Sequence, residues 1–244
     1  MDPSIYRRMA QTQHDHWWFR ARRSILKAQL ERLGLPHPAR VLEVGCGTGA
    51  NLSMLSAFGQ VDAMELDDFA LEIARQEACA DVRKGWLPNG IPFDGGARYD
   101  AVCLFDVLEH CENDHAALEA LAPRLADRGV AIVTVPAYQW LFGEHDRLHH
   151  HYRRYTASGL REVATRAGFQ WVSGGYFNSI LFPAVAVRRM LARLGVGADT
   201  DDSNLPSPIL NSMLTRVFAA ERLIVPFAKF PFGTSVLAVL RAAH

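Results

Sequence analysis

Gly45, Gly47 and Gly49 stand at every second position between an apolar run, Arg40 to Val44, and a segment with helical spacing from about Ala50 to Phe58. Glycines in such a place let the backbone turn tightly and approach a ligand closely. Glu65 follows Gly45 by twenty residues and ends the next apolar run, where an acid can bind the hydroxyls of a ribose. Gly45-x-Gly47-x-x-Ala50 also fits a dinucleotide fingerprint, and a tight turn with no ligand is the plainest alternative. Glu43 separates these ligands. A carboxylate beside the glycine turn repels a pyrophosphate and attracts a cation, with some kcal/mol at stake for charges about 4 Å apart at a partly buried site. A solvated strand end, the other reading of Glu43, sits poorly between Leu42 and Val44. The pattern points to a nucleoside ligand that carries positive charge and no phosphate.

A second concentration of chemistry is Glu144-His-Asp-Arg-Leu-His-His-His-Tyr-Arg-Arg-Tyr155. One reading makes His145 and His151, with His110 from an earlier loop, acid/base groups, and Tyr152 and Arg154 the residues that hold an acceptor. Another makes His145, Asp146 and two later histidines ligands of a divalent ion. Adjacent histidines in a loop point in different directions, so no metal is expected. The third is a hydrogen-bonded lid latch. Near the start, His14-Asp-His-Trp-Trp-Phe-Arg-Ala-Arg-Arg23 offers aromatic rings that can wall a site, Trp18 against an acceptor, or pack on a sheet.

The elements that must position these residues alternate. Helical spacing runs from about His14 to Leu33, with Phe19, Leu26, Leu30 and Leu33 on one face and Arg22, Arg23, Lys27 and Glu31 elsewhere. Strands are predicted at Arg40–Val44, Val61–Glu65, Val82–Arg83, Tyr99–Phe105, Gly129–Val135, Phe169–Val172 and Ser235–Leu240. Asp67 or Asp68, and Asn113 or Asp114, are predicted to open the helices between them. Pro123 is expected to end or kink the second of these, and another helix is expected from Ser158 to Ala167. Two more are expected near 180–194 and 209–227, around a linker with Asp199, Asp201 and Asp202. The fold class is α/β: a Rossmann-like, mostly parallel seven-stranded sheet with helices on both faces, an N-terminal helical lid and a helical insert before the last strand. Residues 1–244 make one domain, with a cap over 1–38, a core over 39–175, the insert over 176–233 and the last strand over 234–244.

Composition sets limits. With 244 residues, 49% hydrophobic, the chain suits one α/β domain. Lys plus Arg and Asp plus Glu both number 26, and there is no long basic stripe, which argues against nucleic acid. Cys46, Cys79, Cys103 and Cys111 form no CxxC pair, as reduced cytosolic thiols would not. The first residues lack a signal peptide's apolar core, and no apolar run approaches the ~20 residues that cross a bilayer. A cytoplasmic protein is expected. In the insert, Phe177, Ile180, Leu181, Phe182, Val185 and Val187 are followed by Arg188, Arg189 and Arg193. That pairing leaves open peripheral contact with the inner membrane face or a homodimer through the insert.

Glu43-Val-Gly-Cys-Gly-Thr-Gly49, Ala63-Met-Glu-Leu-Asp67 and Tyr99-Asp-Ala-Val-Cys-Leu-Phe-Asp-Val-Leu-Glu-His110 together resemble the class I S-adenosylmethionine-dependent methyltransferases over roughly Arg40 to Val135. The resemblance implies S-adenosylmethionine as cofactor, held by Glu43, Gly45, Cys46, Gly47, Gly49, Glu65 and Leu66, with Asp106 near its methionine end or the substrate. Many relatives put Gly-Asp after the third strand to bind adenine. Here Lys84-Gly-Trp-Leu-Pro88 has no acid, so Trp86 and Leu87 hold the adenine or Trp86 covers the sheet edge. The His14–Arg23 segment, Glu144-His-Asp and His151-Tyr-Arg-Arg-Tyr155 resemble a bacterial subgroup acting on small molecules or lipid intermediates. Methyl transfer to an oxygen of a small or lipid-like acceptor is the expected activity. The alternative is an S-adenosylmethionine-binding protein that acts through partners without transferase activity.

Overall fold

In the computed structural model, which describes residues 3–193 and 205–243, the apolar runs form a seven-stranded sheet. Its strands are β1 (Ala39–Val44), β2 (Gly59–Glu65), β3 (Asp81–Lys84), β4 (Tyr99–Phe105), β5 (Leu125–Pro136), β6 (Phe169–Phe177) and β7 (Ser235–Ala242). Their order is β3-β2-β1-β4-β5-β7-β6. The pairs from β3 to β5 are parallel, and β7 runs antiparallel to both β5 and β6. Parallel strands are covered on both faces, so their sequences read as near-continuous apolar runs. Along β4, Val102 and Leu104 enter one core with Leu118 and Leu160, while Ala101 and Cys103 enter the other with Ile25 and Leu55.

Helices α1 (Pro3–Thr12) and α2 (Trp17–Leu33) precede the sheet. Helices α3 (Leu52–Ser56), α4 (Asp68–Ala74), α5 (Asp114–Glu119), α6 (Glu144–Leu148) and α7 (Ala157–Arg166) lie between strands, and α8 (Phe182–Arg193) and α9 (Pro208–Ala219) lie before β7. Asp67 and Asn113 do cap α4 and α5, accepting the N–H of Ala70 and Ala116 at 3.0 Å each. Helix α5 ends before Pro123, which lies in a 3-10 turn, Ala122–Arg124. Asp100, at the entrance of β4, accepts the Arg40 N–H at 2.8 Å and so ties β1 to β4.

Several expectations change. The helix expected from His14 starts at Trp17, because His16 caps α2, its Nδ1 accepting the Trp18 N–H at 3.2 Å, and a further helix that was not expected, α1, lies ahead of it. Ile5, Tyr6 and Met9 were too few large apolar residues to announce α1. Strand β6 runs past Val172 because β7 pairs with it as far as Phe177↔Ser235. Residue 194 and the linker with Asp199, Asp201 and Asp202 lie outside the described residues.

The helix expected over 209–227 closes at Ala219 and tightens into a 3-10 turn, Ala220–Leu223. Glu221 in that turn is wholly buried. Its carboxylate accepts the N–H groups of Asn178, Ser179 and Ile180 at 2.6, 2.7 and 2.9 Å. Across the same junction Asn211 accepts the Trp17 N–H and donates to the Asp15 carbonyl, each at 2.8 Å, and Phe218 packs on Trp17 and Phe177. The insert is thereby fastened to the N-terminal helices. Glu221→Ala leaves three backbone donors without their acceptor and is expected to lower unfolding free energy by about 2–4 kcal/mol. A urea midpoint equal to that of the unaltered chain would remove this carboxylate from the account.

Candidate active site

The carboxyl ends of β1 and β4 adjoin where the strand order reverses, the place where open α/β sheets hold ligands. A cavity of about 1610 Å³ lies there, bordered by the glycine turn, α1, α2, α6 and α8. Gly45, Gly47 and Gly49 have φ of 66°, 56° and 87°. A Cβ on Gly45 would stand 2.7 Å from Cγ2 of Val107, so only glycine lets the turn pass the segment after β4.

Two carboxylates back this turn. Glu43 is 1% exposed; its Oε1 accepts from Asn51 Nδ2 at 2.8 Å, and its Oε2 has no hydrogen-bond partner. Burial pushes its carboxyl up to about 8, against smaller opposing effects of the Asn51 hydrogen bond and the Arg22 charge. Glu65, also buried, accepts the Gly47 N–H on Oε2 at 2.8 Å and those of Leu66 and Asp67 on Oε1 at 2.9 and 3.0 Å. Burial raises the Glu65 carboxyl too, and raises the Cys46 thiol beside both acids, which keeps that thiol protonated. Leu66, Trp86 and Leu87 border the same cavity. Trp86 is half-exposed, and a Cβ on Gly90 would meet its ring at 2.3 Å, so the indole both covers the Trp86–Gly90 turn and faces the cavity.

The N-terminal helices close one side. Gln13 donates to the Thr48 carbonyl at 3.3 Å and accepts from the Thr48 hydroxyl. Arg22, expected on the polar side of its helix, is buried. Its Nη2 lies 2.8 Å from Asp106 Oδ2 and donates to the Thr134 hydroxyl, with the guanidinium 5.0 Å from the Trp18 ring centre. The spacing held the signal: Arg22, Ile25, Leu26 and Gln29 share one buried face. Asp106 itself has φ 58°, uncommon for a residue with a side chain, and is held there by Thr134, which accepts its N–H at 3.0 Å and donates to Oδ1 at 3.1 Å.

His110, His145 and His151 do meet. Ring centres are 4.6 Å apart for His110 and His151 and 6.2 Å for His145 and His151, and His149 stacks on His145 at 4.0 Å. Asp146, wholly buried, organises them. Its Oδ1 accepts from His151 Nδ1 and Arg154 Nε at 2.8 Å each, and its Oδ2 from the Gly143 N–H at 2.9 Å. Burial pushes Asp146 up, but these bonds and the Arg154 charge outweigh it and hold the carboxyl below its usual range. Arg154, expected to grip an acceptor, borders the cavity and is bound to Asp146 and to the Ala137 carbonyl, supplying the counter-charge that a buried carboxylate needs. Tyr152 and Trp18 border the cavity, Tyr152 largely exposed. Glu109, which no spacing argument singled out, is wholly buried, and neither oxygen has a hydrogen-bond partner among the described residues.

A family model described as a methyltransferase domain matches residues 17–173. A dTDP-3-amino-3,6-dideoxy-alpha-D-glucopyranose N,N-dimethyltransferase of Streptomyces fradiae is 35% identical over 123 residues, 48% of this chain and 46% of that protein. The chain spans half or less of the length of the curated relatives it matches. Among solved structures, the protein bound to the Trm112 methyltransferase activator of Haloferax volcanii superposes with a TM-score of 0.64 at 19% identity, over 99% of this chain and 95% of that one. The cyclase SpnF gives 0.59 at 18% identity, over 91% and 80%. At such identities the likeness is one of fold.

Glu43 carries a consequence for stability. A folded-state pKa of about 8, against about 4.3 in an unfolded chain, means the folded chain keeps a proton that the unfolded chain has lost between those values. Stability therefore falls as pH rises through that window, by up to about 1.4 kcal/mol per pH unit from this group. Glu43→Gln is expected to remove that slope. Denaturant midpoints of both chains from pH 5 to 8 check it; parallel pH dependences would mean that Glu43 is ionised in the folded protein.

Proposed function

Because the chain belongs to the class I S-adenosylmethionine-dependent methyltransferase family, we propose that it transfers the cofactor's methyl group to an oxygen of a small or lipid-like acceptor. The observation that carries this reading is the single cavity that joins the glycine turn to the histidine cluster. The residues suit this cofactor. Glu43 holds one buried oxygen without a partner behind the glycine turn, and a nearby ammonium or sulfonium would favour its ionised form. Glu65 accepts three N–H groups, which leaves about one of its roughly four acceptor sites for a ribose hydroxyl. Leu66, Trp86 and Leu87 supply apolar surface for a base in place of the missing acid.

Bound there, S-adenosylmethionine would supply an electrophilic methyl carbon, with the sulfonium sulfur as leaving group, for transfer to the acceptor oxygen. The chain orients the two partners and excludes water, with Trp18 and Tyr152 bounding the acceptor side. The acceptor's hydroxyl proton passes to the histidine cluster, where His110, His145 and His151 lie together. A second reading, transfer to an amino nitrogen, is favoured by the Streptomyces fradiae relative, whose name describes an N,N-dimethyltransferase.

The insert extends the proposal. Val187 and Met190 on α8 and Ile209 and Met213 on α9 are exposed, and Leu181, Val185 and Leu214 border the cavity. No helix among the described residues is long and apolar enough to cross a membrane. This surface suits a lipid-like acceptor drawn from the inner membrane face, with a homodimer through the insert as the other use of the same side chains.

Calorimetry should find binding of S-adenosylmethionine and none of NAD, with Glu65→Ala weakening the former about 10–100-fold. In single-turnover assays over a panel of hydroxyl and amino acceptors, His151→Ala and His145→Ala should each lower turnover by about 10²–10⁴-fold while cofactor affinity stays within about twofold. No S-adenosylhomocysteine released with any acceptor would return the chain to a binding role; full turnover in both variants would make the loop a latch. Flotation with anionic vesicles at low salt should carry the chain upward. A dimer that stays at the bottom of the gradient would make the insert an interface between copies.

A further inference from the structure

We propose that Glu109, His110 and His151 bind one divalent transition-metal ion at the acceptor end of the cavity. One ligand atom from each lies within 4.8 Å of the others, and the three residues come from two segments, the turn after β4 and the loop after α6. Bonds of about 2.1 Å put tetrahedral ligand atoms about 3.4 Å apart, so the side chains must close in by up to about 1.4 Å around an ion. Spacing along the Glu144–Tyr155 loop could not reveal this set, because only His151 belongs to it. Asp146 and the other histidines stand around it.

Three features mark a built site rather than a chance cluster. Glu109 is the first: it is fully buried with both oxygens unpartnered, a costly arrangement that a cation relieves. Both imidazoles are also oriented from behind. The Nδ1 of His151 is held by Asp146 at 2.8 Å, and the His110 ring is hydrogen-bonded to the His149 backbone, so each ring keeps one nitrogen for an ion. Charge is the third. Arg22 pairs with Asp106 and Arg154 with Asp146, so the two nearby cations are engaged elsewhere and neither hydrogen-bonds Glu109. Two imidazoles and one carboxylate favour zinc, manganese, iron or cobalt over magnesium or calcium, which take oxygen ligands.

The consequence rests on the oxygen-acceptor reading above. Three protein ligands leave positions open to the cavity, and an acceptor with two neighbouring oxygens, such as a vicinal diol or a hydroxyl beside a carbonyl, can chelate there. His110 and His151 then act as ligands. An ion held there would lower the pKa of the acceptor hydroxyl, and His145, which borders the same cavity, would take the proton.

The test uses the untagged full chain, stripped with chelator and titrated with Co²⁺ alone, without cofactor or acceptor. One equivalent should saturate a visible d–d absorption. Glu109→Gln and His151→Ala should each weaken binding at least about tenfold, and Asp146→Asn about 10–100-fold through His151. His115→Ala, which removes an exposed histidine bonded to the Arg166 carbonyl, should change nothing. Zn²⁺ should raise the melting temperature of the unaltered chain and not that of Glu109→Gln, which keeps the result readable if that variant folds with altered stability. No saturable band, or equal affinity across the variants, overturns the site. Cofactor binding measured on the same samples separates the two ideas: a chain that binds S-adenosylmethionine and no metal ends this proposal alone.

Discussion

Arg22 and Asp106 add a buried ion pair to the apolar packing of Ile25, Leu26 and Leu30 against the sheet. One sits on a helix before the sheet, the other on the turn after its central strand, and Thr134 of β5 bonds to both. A guanidinium buried this deeply must be paired, and an aspartate at φ 58° must be held. Each condition answers the other. Both residues border the cavity, and the guanidinium lies 5.0 Å from the Trp18 ring centre.

Around that pair the site gathers acids at strand ends: Glu43 after the middle of β1, Glu65 at the end of β2, Asp106 and Glu109 beyond β4. Each is buried or half-buried, and burial raises the carboxyls of Glu43, Glu65 and Glu109. A folded chain without ligands tolerates this by different means. Glu65 is satisfied by three backbone donors and Asp106 by an arginine. Glu43 keeps one oxygen unpartnered and Glu109 keeps two. Such groups cost stability in the unliganded chain, and a cation beside either would offset that cost.

The insert obeys the same logic with a different partner. Glu221 is a buried acid whose three acceptor bonds go to the backbone that leads into α8. It therefore fixes structure where Glu43 and Glu109 await ligands. The distinction lies in unfilled acceptor sites, and residue type alone does not carry it.

Local order in this chain determines the alternation of strands and helices, the glycine turn and the acid twenty residues on. These depend on neighbours within a turn or a strand: apolar runs bury on both faces of a parallel sheet, Asp67 and Asn113 cap the helices that follow them, and only glycine takes the backbone past Val107. Tertiary structure alone decided which charged side chains meet. Arg22 read as a surface residue because charge outweighed its place on a buried helix face. The tie of Arg154 to Asp146 was hidden because nothing in the loop's spacing shows that Asp146 is buried. Glu109 drew no attention until folding stripped it of water and brought His151 to it from a loop beyond the fifth strand. Spacing can show that a charged residue shares a buried helix face, as Arg22 does, but the counter-charge it meets is a property of the packed chain.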